Sequence, residues 1–174
     1  MWNRPRYPDN AGNYYKDQLI ETNGGKPVMT PGYTTDNYTK WAAEFINGKH
    51  RDAKKPWYLW VCYGAVHGPF TPAKRHLEAF PNIKVPAPKD IFPPRTGKPA
   101  YVRNLNRWSK GENGEPILKR FAARTVNVSG IHGNTLTDWV RQYHQGVLAI
   151  DEGVGKLIAT LKASDQYKNT LVVF

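Results

Sequence analysis

A fifteen-residue stretch, PWYLWVCYGAVHGPF from Pro56 to Phe70, constrains this chain more than any other. Seven consecutive residues within it, Trp57 to Tyr63, are aromatic, β-branched or otherwise apolar. A continuous run of that kind predicts a strand covered on both faces, as in a parallel sheet with helices above and below. Pro56 can open such a strand but could not sit inside it. Gly64 and the Gly68-Pro69 pair then end it and turn the chain. His67 is therefore expected just past the carboxyl end of a strand, where open α/β sheets bind their ligands.

The flanking patterns agree with an α/β class. Tyr38, Trp41, Ala42, Phe45 and Ile46 fall at helical spacing and predict a helix over 36–47, with Thr35 or Asp36 as its cap and Gly48 as its stop. Residues 48–55 read as a basic connection into the strand. A short helix is expected over 72–80, with Pro72 in its first turn. The clearest helix spans 136–162, where Val140, Tyr143, Val147, Ile150, Val154, Leu157 and Leu161 make one apolar seam. Thr135 with Asp138 fits a capping box. Gly146, Gly153 and Gly155 each cost that helix about 1 kcal/mol against alanine, which points to close packing at those positions. After a turn at Tyr167-Lys168-Asn169, Thr170 to Phe174 reads as a second buried strand.

Two regions lack such patterning. Residues 1–33 are rich in Asn, Tyr, Gly and Pro and read as loop with a short hairpin, the turn marked by Asn23-Gly24-Gly25. Residues 81–134 are proline-rich, contain WSKGENGEP and show no sustained period. That is long for a structureless loop in a compact domain, so a functional insertion or lid is expected there. The 174 residues suffice for one domain with a core. No apolar run approaches the ~20 residues of a membrane-spanning helix, and Met1-Trp2-Asn3-Arg4 opens a polar stretch rather than a signal peptide. The single cysteine, Cys62, lies in the apolar run and reads as an inert buried thiol.

Net charge is +11, which fits either a polyanionic substrate or partner, or merely a basic solvated surface. Nucleic-acid binding would show basic residues interleaved with exposed aromatics. RNLNRWSK, Arg103 to Lys110, is the one local match, and no nucleic-acid partner is expected on that alone. Among titratable groups His67 is the leading candidate, since an unperturbed imidazole titrates near ~6.5 and can move a proton near neutrality. One histidine makes no motif, so a loop-bonding role stays open beside the catalytic one. His76 follows Lys74 and Arg75; those three read as an anion site or, more simply, a solvated helix face. His50 lies in a basic loop, and neither His132 nor His144 has an evident partner. No histidine pair has zinc-site spacing. Asp151 and Glu152 are adjacent on a helix and point apart, so they make no catalytic pair; Asp151 reads as a tether to a neighbouring element. A phosphate loop and a nucleophile elbow are both absent.

Three stretches taken together resemble the sulfatase family of the alkaline-phosphatase superfamily: GYTTDNYTKWAAEFI (32–46), PWYLWVCYGAVHGPFTP (56–72) and VRQYHQGVLAIDEGVGKLIATLKASDQYKNTLVVF (140–174). The resemblance implies an alkaline-phosphatase-like sheet with helices on both faces, residues 1–174 being part of one catalytic domain with 81–134 as a variable insertion. It implies sulfate-ester hydrolysis, with a nucleophile made by oxidising Cys or Ser to formylglycine and a divalent metal, usually calcium, in the full-length parent. Of this chain's residues only His67 matches a family position, where it would bind the sulfate ester and protonate the departing oxygen. The family's Cys/Ser-Xaa-Pro-Xaa-Arg motif is absent, as are its aspartate and lysine-histidine motifs, and no residue of this chain is expected to bind the metal. The chain therefore resembles an internal piece of a sulfatase, inactive by itself. The implied substrate is a sulfated small molecule or glycan, and periplasmic or secreted localisation follows for the parent. Related readings are a phosphodiesterase or phosphonate hydrolase of the same superfamily, or a non-catalytic basic module that binds polyanions in a salt-dependent way.

Overall fold

The computed structural model describes residues 14–68, 70–119 and 133–174. In chain order the elements are β1 (Lys16–Ile20), β2 (Val28–Tyr33), α1 (Thr34–Ile46), α2 (Ala100–Arg103), β3 (Trp108–Lys110), β4 (Pro116–Leu118) and α3 (Leu136–Ala163), with 3₁₀ turns at Lys74–His76 and Tyr167–Asn169. They fall into two compact units, one running up to His67 and taking in Gly146–Phe174, the other Gly68–Gln145.

In the first unit β1 and β2 pair as an antiparallel hairpin, with Gln18 opposite Thr30 and Ile20 opposite Val28. The Asn23-Gly24 turn signal holds: both residues take left-handed φ, 53° and 74°. α1 begins at Thr34, two residues before the expected start, and no side chain caps it. Instead the Thr34 N–H donates to the Tyr15 carbonyl at 2.9 Å, so the hairpin satisfies the helix start that Thr35 or Asp36 was expected to cap. The stop is as expected. Gly48 has φ 92°, and its N–H reaches the Phe45 carbonyl at 3.0 Å. Thr35, Thr39, Ala42 and Ile46 form the buried stripe of α1.

The segment 57–63 departs from expectation. It has no ladder partner among the described residues and is not a strand of a sheet. Burial alternates along it: Trp57, Leu59, Val61 and Tyr63 are half-buried, while Tyr58, Trp60 and Cys62 are exposed, Tyr58 to 82% and Trp60 to 77%. One pleat face is covered and the other bare, so Cys62 is an exposed thiol rather than the buried one expected. The residues after Thr170 differ likewise. Leu171 to Phe174 are exposed, and they pair with no strand among the described residues. The only sheets among the described residues are two antiparallel pairs, so the expected parallel sheet with helices on both faces is not laid out within them.

α3 covers the inner face of 57–66 through its glycines. A Cβ on Gly146 would lie 2.8 Å from Val66 Cγ1, and one on Gly153 would lie 2.6 Å from Thr39 Oγ1 and 2.8 Å from the Tyr63 hydroxyl. As the helix runs from Gly146 to Gly153, its contacts run back from Val66 to Tyr63. Gly155 meets nothing within 4 Å, so the close packing expected at three glycines occurs at two. The buried residues of α3 are Gln142, Gln145, Gly146, Ala149, Gly153 and Leu161; of the expected apolar seam Leu161 is thus buried, while Tyr143 and Val147 are exposed. At Gly146 and Gly153 the missing Cβ leaves room for the Val66 and Tyr63 side chains. Asp151 is exposed rather than tethering the helix.

At the other end of these elements Gln166 gathers three of them. Its Oε1 accepts from Trp57 Nε1 at 3.1 Å and Arg51 Nη2 at 3.3 Å, and its Nε2 donates to the Ile46 carbonyl at 3.0 Å. Arg51 also donates to the Phe45 and Ile46 carbonyls, and its guanidinium lies 5.7 Å from the Phe45 and Trp57 rings. These bonds fix where the segment leading to His67 begins.

In the second unit the expected helix over 72–80 shrinks to one 3₁₀ turn. The expected irregular insertion contains a hairpin, β3 paired with β4, in which Ser109 faces Ile117. Its loop is closed by Gly111 N–H to the Glu115 carbonyl at 2.8 Å and turned by Gly114 at φ 82°. The capping box of α3 forms as read. The Asp138 N–H donates to Thr135 Oγ1 at 3.1 Å, and the Thr135 N–H donates to Asp138 Oδ2 at 3.1 Å. Thr135→Ala is expected to lower stability by about 1 kcal/mol, read as a drop in the urea midpoint with an unchanged slope.

Candidate functional site

The extended segment ends in a tight turn: the His67 N–H returns to the Gly64 carbonyl at 3.1 Å, and the Ala65–Val66 peptide between them is cis. The turn places His67 and Gly68 on the surface, where both are exposed. The Tyr14 ring lies against it, with centroids 4.2 Å apart and planes tilted by 34°. Tyr15, only 3% exposed, donates its hydroxyl to the His67 carbonyl in a short hydrogen bond. The same Tyr15 receives the first N–H of α1 through its own carbonyl. One residue therefore links the helix start to the histidine turn.

Gly64 is part of this arrangement. A Cβ there would stand 3.0 Å from Tyr14 Cδ1 and 3.2 Å from the Tyr14 carbonyl, so only glycine lets the Tyr14 backbone pass beneath the turn. Beside it the Tyr63 hydroxyl is 2.9 Å from Thr39 Oγ1, and Thr39 in turn bonds the Thr35 carbonyl at 2.8 Å. Tyr38 bonds Gln18 at 2.8 Å, and burial, with a smaller contribution from Cys62, raises its phenol above the ordinary range. Tyr14 and Tyr15 were missed by sequence reasoning: they lie in a stretch read as loop, fifty residues from the histidine they hold.

The other histidines do not join His67. His76 is buried, at the end of its 3₁₀ turn, rather than on a solvated face or in an anion site with Lys74 and Arg75. Burial follows from the short turn, which aims it inward. His144 packs edge-on to Phe80 at 5.9 Å. His50 is exposed and takes left-handed φ after α1, and His132 lies outside the described residues. A concavity between Leu77, Glu78 and the first turns of α3 is committed to structure. Gln145 holds the Leu77 and Ala79 carbonyls there at 2.8 and 2.9 Å, and Arg141 pairs with Asp138 at 3.2 Å.

Among the described residues no group of three His, Cys, Asp or Glu side chains could hold a metal ion, so these residues do not fit a calcium ion. No helix among them is long and apolar enough to cross a membrane. With the turn as built, an exposed imidazole fixed from both sides of its main chain can donate a hydrogen bond or a proton to a bound oxyanion ester.

Comparison with known proteins gives two findings. The family model described as Sulfatase matches residues 1–174. An N-acetylglucosamine-6-O-sulfatase of Bacteroides thetaiotaomicron is 27% identical over an alignment of 203 residues that covers 94% of this chain and 36% of the relative. The chain thus spans about a third of the length of the curated relative it matches.

Proposed function

Because the chain belongs to the sulfatase family, we propose that it is part of a catalytic domain hydrolysing sulfate esters of sulfated glycans, with His67 at the ester. The family brings with it an alkaline-phosphatase-like α/β fold. The observation that carries the reading is the family match along the whole chain, and the surface position of His67, at the end of a fixed extended segment, supports it. The substrate class, a 6-O-sulfated N-acetylglucosamine, follows the name of the relative.

In this reading His67 hydrogen-bonds the bridging oxygen of the ester. As the S–O bond to the sugar breaks, that oxygen takes the imidazolium proton and leaves as the alcohol. The Tyr15 hydroxyl and the Gly64 carbonyl hold the main chain of the turn while the Tyr14 ring limits imidazole rotation. The attacking group, a formylglycine in the family, is not supplied by these residues: no Cys/Ser-Xaa-Pro-Xaa-Arg segment occurs in them. The metal of the parent enzyme would likewise be held by other residues.

A protein that carries these residues together with such a nucleophile segment is expected to release inorganic sulfate from N-acetylglucosamine 6-sulfate, read by ion chromatography. The 174-residue chain alone is expected to release none. Turnover of a phosphodiester or phosphonate in preference to the sulfate ester would assign the chain to a different branch of the superfamily.

A further inference from the structure

One acid-free stretch carries five positive charges. From Ile91 to Gly111, twenty-one residues bounded by Asp90 and Glu112, there is no acidic side chain and there are five basic ones: Arg95, Lys98, Arg103, Arg107 and Lys110. Residues 96–101 and 103–107 are exposed without interruption, Lys110 is exposed, and the Tyr101 ring stands 80% in solvent on α2.

Arg95 differs from the other four. Its guanidinium donates to four main-chain carbonyls: Asp90 at 2.7 Å, Ile91 at 2.6 Å, Val102 at 3.1 Å and Leu105 at 2.5 Å. A second bond runs from its own N–H to the Arg103 carbonyl at 3.3 Å. Arg95 is thus a staple that closes the loop from Asp90 to Leu105. Arg103 adds bonds to the Lys98 carbonyl at 3.3 Å. A loop tied in this way presents its cations and Tyr101 without having to order itself on binding. Lys98 Nζ lies 3.8 Å from Asp90, an exposed pair for which an incoming sulfate can compete.

We propose that this stapled loop and the adjoining β3 form a docking surface for a sulfated glycan chain, with Lys98, Arg103, Arg107 and Lys110 meeting sulfates and Tyr101 meeting the apolar face of a sugar ring. The choice of a sulfated glycan rests on the function proposed above; the surface itself does not. A nucleic-acid surface would offer a succession of stacking rings beside its cations. Here one ring is open; of the other two aromatic side chains of the basic stretch, Phe92 is half-buried and Trp108 packs edge-on against Trp139 at 6.2 Å. A single open ring amid separated cations suits a saccharide carrying sulfates on both sides of one pyranose.

The test is heparin binding by the 174-residue chain, titrated against salt. Replacing Lys98, Arg103, Arg107 and Lys110 together by serine is expected to weaken binding at least ~10-fold at 0.1 M salt and to reduce the log–log salt slope by about one per cation engaged. The control replaces the exposed Lys40, Lys54, Lys156 and Lys168, which removes the same charge, and is expected to leave affinity within about threefold. Tyr101→Ala, at a side chain that supports no core, is expected to weaken binding several-fold with the slope unchanged. Equal losses in the two quadruple variants would reduce the effect to net charge and overturn the proposal. Tighter binding of a single-stranded oligonucleotide than of heparin would overturn it in favour of nucleic acid. Sulfate release by the parent enzyme is a separate readout. Its absence with heparin docking intact would sink the proposed function and not the surface, whereas turnover without docking would sink the surface alone.

Discussion

His67→Ala in the complete enzyme is expected to lower kcat for a sugar sulfate by roughly 10²–10⁴-fold with the unfolding midpoint nearly unchanged. Fold and activity should separate because the bonds that shape the turn belong to the main chain. The His67 N–H holds the Gly64 carbonyl and the His67 carbonyl receives the Tyr15 hydroxyl, and both survive truncation of the side chain. What is lost is the imidazole, which is exposed and rests on Tyr14. The role of that imidazole can be read from the leaving group. A nitrophenyl sulfate departs without needing a proton, so the loss on that substrate should be far smaller than on the sugar sulfate. Equal losses on both would remove the acid role and leave His67 as a sulfate-binding residue.

Two glycines on α3, two positions apart, are expected to respond with opposite sign. Gly153→Ala should cost about 1–3 kcal/mol, because its Cβ would enter the space of the Thr39 and Tyr63 hydroxyls, which are themselves hydrogen-bonded to each other. Gly155→Ala should gain about 1 kcal/mol, since its Cβ meets nothing and the helix loses a flexible residue. Urea unfolding of the two variants measures both. A gain at each position would mean that α3 does not press on Tyr63.

The sequence showed most where local rules act alone. The Asn23-Gly24 turn, the Gly48 stop, the Thr135–Asp138 box and the surface placement of His67 were all legible from turn chemistry and capping. The failures share a different cause: each turned on what lies across from a segment. Trp57 to Tyr63 has the composition of a strand buried on both faces, yet composition cannot supply the neighbour that would cover Tyr58 and Trp60. Of the expected apolar seam of α3, Leu161 is buried and Tyr143 and Val147 are exposed, while the closest approach to Tyr63 and Val66 is at Gly153 and Gly146, where side-chain size rather than hydrophobicity decides the contact. The hairpin within WSKGENGEP was hidden by strands of three residues, too short to show an alternation. Around His67 the exposed turn was legible and the residues that hold it were not, since no local pattern joins Tyr14 and Tyr15 to a residue fifty positions on.

The one-sided packing of 57–63 makes the stretch from Trp57 to Tyr63 a ruler. Side chains alternate along 57–63, with Trp57 fixed at one end by Gln166 and Tyr63 at the other by Thr39 and Gly153. Adding or removing a single residue between those anchors would exchange the two faces, sending Tyr63 away from Thr39 and bringing Tyr58, Trp60 and Cys62 inward. The same change among residues 52–55, before the first anchor, would only lengthen or shorten an exposed basic loop. Length variation is therefore permitted up to Lys55 and forbidden from Trp57 to Tyr63.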